Sequence, residues 1–133
     1  MRILVAGGGT IGLQAAQRLS ADGHDVTIIE LSAARALSLI QLGLPTVRGD
    51  AAVLPTLEAA GALRAGVLVA CTGTDEENLV ISLVAKRHFA IGRVVALVNN
   101  PENAWLFDES WGVDAALSPT AALLSLIEQE SSP

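Results

Sequence analysis

The chain has no tyrosine, two phenylalanines, two tryptophans and a single cysteine, Cys71, in 133 residues. A lone cysteine excludes an internal disulfide and fits a reducing cytosol. So few aromatic rings leave no stacking platform for single-stranded nucleic acid. Basic charge is scarce as well: Lys86 is the only lysine, and the formal net charge is −6. An acidic surface speaks against nucleic acid and anionic membranes as partners. Although 51% of the residues are hydrophobic, no apolar run reaches the ~18 residues that span a bilayer, so direct membrane insertion is not expected. A secretory n-region and h-region is also missing, because Gly7 to Gly9 interrupts the N-terminal apolar stretch. The apolar content suits a parallel sheet buried on both faces, and the length suits one domain over residues 1–133.

What is present is concentrated at Arg2 to Gly12, RILVAGGGTIG. Ile3-Leu4-Val5-Ala6 reads as a buried strand, the glycines as a turn, and Thr10 as the opening of a helix. Gly7, Gly9 and Gly12 fit G-x-G-x-x-G, and Glu30 follows eighteen residues later, at the end of the apolar run Val26-Thr27-Ile28-Ile29. That is the dinucleotide-binding fingerprint with its strand, helix and acidic residue in place. Gly7 permits the tight turn, Gly9 lets a pyrophosphate approach the backbone, and Gly12 lets the helix lie close to the strand. The N–H groups around Thr10 and Ile11 then point at the phosphates, where the helix dipole favours negative charge. Glu30 accepts from ribose hydroxyls and repels a 2′-phosphate, so NADP is disfavoured. A glycine-rich turn with no ligand would require neither the strand, the helix nor Glu30.

Downstream, the pattern alternates. A helix runs from Thr10 to about Ala21 and turns at Asp22-Gly23-His24, where His24 is a solvated turn residue. Strand two ends at Glu30. Ser32 caps a helix that stops at Gly43, and Arg35 in its first turn reads as a solvated charge near the ribose position. Strand three, Thr46-Val47-Arg48, leads through Gly49-Asp50-Ala51 to a helix at Pro55 to Ala60. Asp50 and Ala51 stand at a strand's carboxyl end, where ligands of doubly wound sheets bind, although Asp50 also suits a loop cap. Strand four, Val67 to Cys71, turns at Thr72-Gly73-Thr74 into a helix from Asp75 to about Phe89. Thr74-Asp75-Glu76-Glu77 has the form of a capping box, and Cys71 reads as buried and inert. Lys86, Arg87 and His88 complement the helix C-terminus. Strand five is Arg93 to Val98. Asn99-Asn100-Pro101 caps a helix carrying Trp105, Leu106 and Trp111, both tryptophans reading as core or interface. Strand six is Val113 to Leu117. The last helix, about 118–130, carries Leu123, Leu124, Leu126 and Ile127, an apolar face wide enough to pack on another chain or a missing domain. Ser131-Ser132-Pro133 reads as a frayed tail. Six strands alternating with helices predict a Rossmann-like, doubly wound α/β fold: a six-stranded parallel sheet of order 3-2-1-4-5-6 with right-handed crossovers.

The chain resembles the nucleotide-binding N-terminal domain of potassium-transport regulators, the RCK or TrkA-N domain. The resemblance rests on the glycine loop, Gly23-His24-Asp25-Val26, Glu30, Gly49-Asp50-Ala51, Ala60-Gly61, Thr72-Gly73-Thr74-Asp75-Glu76-Glu77-Asn78, Ala85-Lys86, Asn99-Asn100-Pro101, and Gly112-Val113-Asp114 with Ser118-Pro119. It implies a cytoplasmic domain that binds NAD(H), ADP or ATP, forms a homodimer or higher ring, and controls a membrane potassium channel or transporter. It also implies site residues. Gly7, Gly8, Gly9, Thr10, Ile11 and Gly12 would hold the phosphates, Glu30 and Leu31 the adenosine ribose, and Asp50 and Ala51 the adenine side. Thr72 and Gly73 would border the phosphates or the second nucleoside. Thr10 stands where many members carry an arginine, and Leu97 where many carry a basic residue, which favours a dinucleotide or ADP over ATP. The family's usual C-terminal lobe does not follow the sixth unit. An NAD-dependent oxidoreductase fragment and a non-binding dimerisation domain are the competing expectations; no Ser/Tyr/Lys or His/Asp constellation supports the enzyme.

Overall fold

In a computed structural model, residues 1–131 are described. Strands β1 (Arg2–Ala6), β2 (Asp25–Glu30), β3 (Thr46–Arg48), β4 (Val67–Ala70), β5 (Arg93–Leu97) and β6 (Ala115–Leu117) form one sheet. Its order is β3-β2-β1-β4-β5-β6, every pairing is parallel, and helices pack on both sides, the expected Rossmann-like arrangement. The helices are α1 (Thr10–Ala21), α2 (Ala33–Gln41), α3 (Leu54–Ala59), α4 (Asp75–Arg87) and α5 (Pro119–Ser131).

Alternation along β1 explains why the strands read as continuous apolar runs. Ile3 and Val5 join one core with Ala16 of α1 and Leu39 of α2. Leu4 and Ala6 join the other, with Leu57 of α3 and Leu79, Ile81 and Ala85 of α4. Both faces of the central strands are therefore buried, as parallel sheets require. Each large aliphatic side chain fully buried there, such as Leu4, Ile28 or Leu68, contributes roughly 1.5–3 kcal/mol of transfer free energy. The order of strand addition reverses between β1 and β4, and the chain enters α1 and α4 from the neighbouring ends of these two parallel strands. A crevice at that switch point follows from the connectivity.

Two local expectations are revised, and the last helix keeps its apolar face free. The helix expected after Asn99-Asn100-Pro101 forms as two 3₁₀ segments, Pro101–Leu106 and Glu109–Trp111. Asp108 separates them: its carboxylate accepts from the Ser110 N–H and hydroxyl and restarts the turn. Trp105 is 75% exposed on the first segment, while Trp111 packs against the α4 side of the core. The expected capping box is not made, because the Thr74 side chain accepts no cap bond and Asp75 turns inward. Finally, α5 buries no face: Leu123, Leu124, Leu126 and Ile127 are all about half exposed or more. On the α1 side of the sheet, the strip formed by Val67, Val69, Val95 and Ala115 is also only half covered. The tail expected at Ser131-Ser132-Pro133 lies, apart from the last helical residue, outside the described residues.

Candidate functional site

A cleft of about 560 Å³ lies over the carboxyl ends of β1, β2, β3 and β4. Its floor is the glycine loop. Gly7 has φ +115°, and its N–H donates to the Ile29 carbonyl at 2.9 Å. A Cβ at Gly7 would sit 2.8 Å from the Cys71 carbonyl, so glycine is required twice over. Gly9 differs: its φ is −70°, open to any residue, and a Cβ there would meet nothing within 4 Å. The space beside Gly9 belongs to the cleft. Gly12 sits one turn into α1, where a Cβ would collide with the Gly7 carbonyl and approach the Cys71 Sγ. That close approach sets the start of α1 against the β1–β4 seam. Gly9 supplies no side-chain cap to α1, so the first-turn N–H groups at Thr10 and Ile11 face the cleft without a side-chain partner.

Glu30 closes one wall. It is 5% exposed, and its Oε1 accepts from the Gly8 N–H at 2.8 Å while its Oε2 accepts from the Ser32 N–H at 2.7 Å. The carboxylate thus ties the end of β2 to the glycine loop and to the start of α2. Arg35 is not the free solvated charge that its position suggested: its Nη1 lies 3.5 Å from Glu30 Oε1, and it lines the cleft. Asp50 lines the opposite rim and caps its own loop, accepting from the Ala52 N–H at 2.9 Å.

The far wall is the Thr72–Gly73 turn, and a buried amide holds it. Asn78, wholly buried in α4, donates from its Nδ2 to the Thr72 carbonyl at 3.1 Å and to the Leu97 carbonyl at 3.0 Å. Its Oδ1 accepts from the Thr72 N–H at 2.9 Å and from the Thr72 hydroxyl at 2.7 Å. Beside it, the buried Asp75 carboxylate accepts from the Asn99 N–H at 2.6 Å, the Asn100 N–H at 2.9 Å and the Asn103 amide at 2.9 Å. Burial alone would raise this carboxyl; the donors from Asn103, Asn99 and Asn100 outweigh it and hold it below the ordinary aspartate value. Cys71, between the two walls, is pushed up to about 11, by burial first and by the nearby Glu30 carboxylate second. Its thiol donates weakly to the Gly7 carbonyl at 3.6 Å. It is buried, as its apolar neighbours suggested.

The structure therefore brings Gly7, Gly9, Thr10, Ile11, Glu30, Leu31, Asp50, Ala51, Thr72 and Gly73 around one space. Gly8 and Gly12 shape the loop from beneath it. Arg35, Glu77, Ile81, Leu97 and Asn99 also line the cleft and were not among the expected site residues. Asn78 and Asp75 were missed as positioning groups. A polar residue on the same α4 face as Leu79, Ser82 and Ala85, all buried, was the available signal.

Residues 3–119 match the TrkA-N domain as a family. The chain belongs to the TrkA-N domain family. Over 132 residues it is 43% identical to the Trk system potassium uptake protein TrkA of Mycobacterium tuberculosis, covering 97% of this chain and 59% of that protein. The chain thus spans a little under three-fifths of that relative's length. Two solved structures share the TrkA-N fold closely. The Kef CTD of Shewanella denitrificans, in AMP-bound form, is 28% identical with a TM-score of 0.80, over 98% of this chain and 80% of that one. GsuK bound to ADP is 27% identical with a TM-score of 0.81, over 96% of this chain and 32% of that one.

Proposed function

We propose that this TrkA-N domain is a cytoplasmic, non-catalytic nucleotide sensor of a potassium uptake system, binding NAD(H) or an adenine nucleotide and controlling a membrane transporter through its assembly state. One observation carries the proposal. The uncapped start of α1, the unobstructed Gly9 and the Glu30 carboxylate converge on one cleft at the sheet's switch point. The relatives support it, since their names attach this domain to Trk potassium uptake and their bound forms hold AMP or ADP.

In this reading, phosphates sit on the N–H groups of Thr10 and Ile11 above Gly9. Glu30, Leu31 and Arg35 surround the adenosine ribose, with Asp50 and Ala51 toward the adenine. Thr72 and Gly73 border the remainder of the ligand. Among the described residues Arg35 is the one cation lining the cleft, and Glu77 and Asp50 stand at its rim. A terminal triphosphate would gain little charge compensation there, which favours NAD(H) or ADP over ATP. Glu30 disfavours NADP. Catalysis is not favoured, because two of the cleft's candidates for proton transfer are committed: Glu30 to two backbone donors and Cys71 to a thiol protonated at neutral pH. A second copy of the chain fits the exposed apolar faces of α5 and the β4–β6 strip. A ligand that binds one arrangement of copies more tightly would shift the population toward it.

Thermal shift with NAD+, NADH, NADP+, ADP and ATP tests this. Ligand at ~100 times its dissociation constant adds about 2.7 kcal/mol of stability. We expect stabilisation by NAD(H) and ADP above that by NADP+ and ATP. No shift with any of the five would refute nucleotide sensing and leave an assembly domain without ligand.

A further inference from the structure

We infer that Asn78 and Asp75 are positioning residues for the second half of a dinucleotide: they pre-form the Thr72–Gly73 wall without touching the ligand themselves. The inference rests on the nucleotide reading of the cleft.

The geometry separates these two residues from the lining. Neither lines the cleft, and both are buried. Asn78 uses its two amide hydrogens and its carbonyl oxygen on the backbone ends of two adjacent strands: Thr72, just past β4, and Leu97, the last residue of β5. The β4–β5 pairing ends at Ala70–Ala96, so Thr72 and Leu97 lie beyond its last pair. Asn78 links the two from below. Asp75 performs the matching task one turn earlier, gathering the N–H groups of Asn99 and Asn100 under its carboxylate. Asn99 completes the link, its amide donating to both the Thr72 carbonyl at 3.0 Å and Asp75 Oδ1 at 3.2 Å.

The result is a connected polar network, and among the described residues no buried side-chain nitrogen or oxygen lacks a hydrogen-bond partner. Such a network rigidifies what it holds. What it holds is the Thr72, Asn99 and Leu97 end of the cleft, away from the Glu30 and Arg35 end. None of its hydrogen bonds reaches the glycine loop: Thr72 N packs beside Gly7, but that loop's own ties are the Gly8–Glu30 bond and the packing of Gly12. The two ends of the site are thus held by separate sets of hydrogen bonds. Loss of one should affect only the half of the ligand it serves.

The test uses Asn78→Ser and, as the milder change, Asp75→Asn, which keeps one accepting oxygen. Calorimetric titration with NAD+ and AMP compares a ligand that reaches the far wall with one that does not. In the unaltered protein, NAD+ should bind about tenfold or more tighter than AMP, the extra contacts of the second half being retained on a preformed wall. In each variant the NAD+ advantage should fall toward unity, while AMP affinity stays within about threefold and certifies that the variant is folded. An unchanged ratio of the two affinities, whether both fall together or neither moves, overturns the positioning role. An unaltered protein that binds neither NAD+ nor AMP refutes the nucleotide reading and this inference with it.

Discussion

Replacing Glu30 with glutamine probes the junction between fold and site. The carboxylate accepts from the Gly8 N–H at 2.8 Å and the Ser32 N–H at 2.7 Å in a position 5% exposed. A glutamine oxygen can keep one of these bonds, and its NH₂ then faces the other N–H. A buried donor left without an acceptor costs about 1–3 kcal/mol. The Arg35 ion pair adds little, since its guanidinium is more than half exposed and the separation is 3.5 Å. The expected loss is about 2 kcal/mol, which for a chain of this size lowers Tm by roughly 6–12 °C. The same change frees Arg35 from its carboxylate and removes the charge that repels a 2′-phosphate. NADP+ should therefore gain on NAD+, by about tenfold for each 1.4 kcal/mol of repulsion removed. Differential scanning calorimetry with and without each dinucleotide reads both effects. A Tm within experimental scatter of the parent would refute the structural role of the carboxylate, and an unchanged NAD+ to NADP+ ratio would refute its role in selectivity.

Three further outcomes follow from the geometry. Gly12→Ala places a methyl group against the Gly7 carbonyl; we expect a loss of roughly 1–3 kcal/mol or more, read by urea unfolding, and a wild-type midpoint would show that α1 can shift freely. Because the Asp75 carboxyl is held below its ordinary value, its hydrogen bonds stabilise the fold fully above the unfolded-state value of about 4, and that contribution is lost as pH falls below it. Acid titration of Asp75→Asn followed by circular dichroism should show a shallower loss of stability below about pH 4 than the parent shows; parallel curves would contradict the assignment. Leu126→Glu, on a side chain 61% exposed, should leave Tm nearly unchanged and shift light scattering toward monomer, whereas an unaltered assembly size would remove α5 from the interface.

The sheet order was legible from six apolar runs because the central ones are buried on both faces, and the glycine loop because a positive φ at Gly7 and close approaches at Gly7 and Gly12 leave room for no other residue at those two positions. Asp50 and Thr72 were reachable as strand ends. The segment from Pro101 to Trp111 was not, since helical spacing of Trp105, Leu106 and Trp111 looks the same whether or not Asp108 captures Ser110 in between. The fate of Thr74-Asp75-Glu76-Glu77 was hidden for a related reason. A capping box is a local pattern, and Asp75 is recruited by donors twenty-four to twenty-eight positions away in sequence. Arg35 likewise looked solvated because its partner, five residues earlier, carries a role of its own.

A second, apolar hollow of about 80 Å³ lies on the half-covered strip, and its lining shares Ile11, Cys71 and Leu97 with the glycine-loop cleft. Those three side chains form a party wall one residue thick. A molecule seated on one side presses on groups that a neighbour on the other side must also pack against. Such coupling is reciprocal: whatever occupancy of the cleft does to docking on the strip, docking does equally to occupancy. The apparent affinity for a nucleotide would then depend on how concentrated the protein itself is, with no lever or long-range path between the two surfaces.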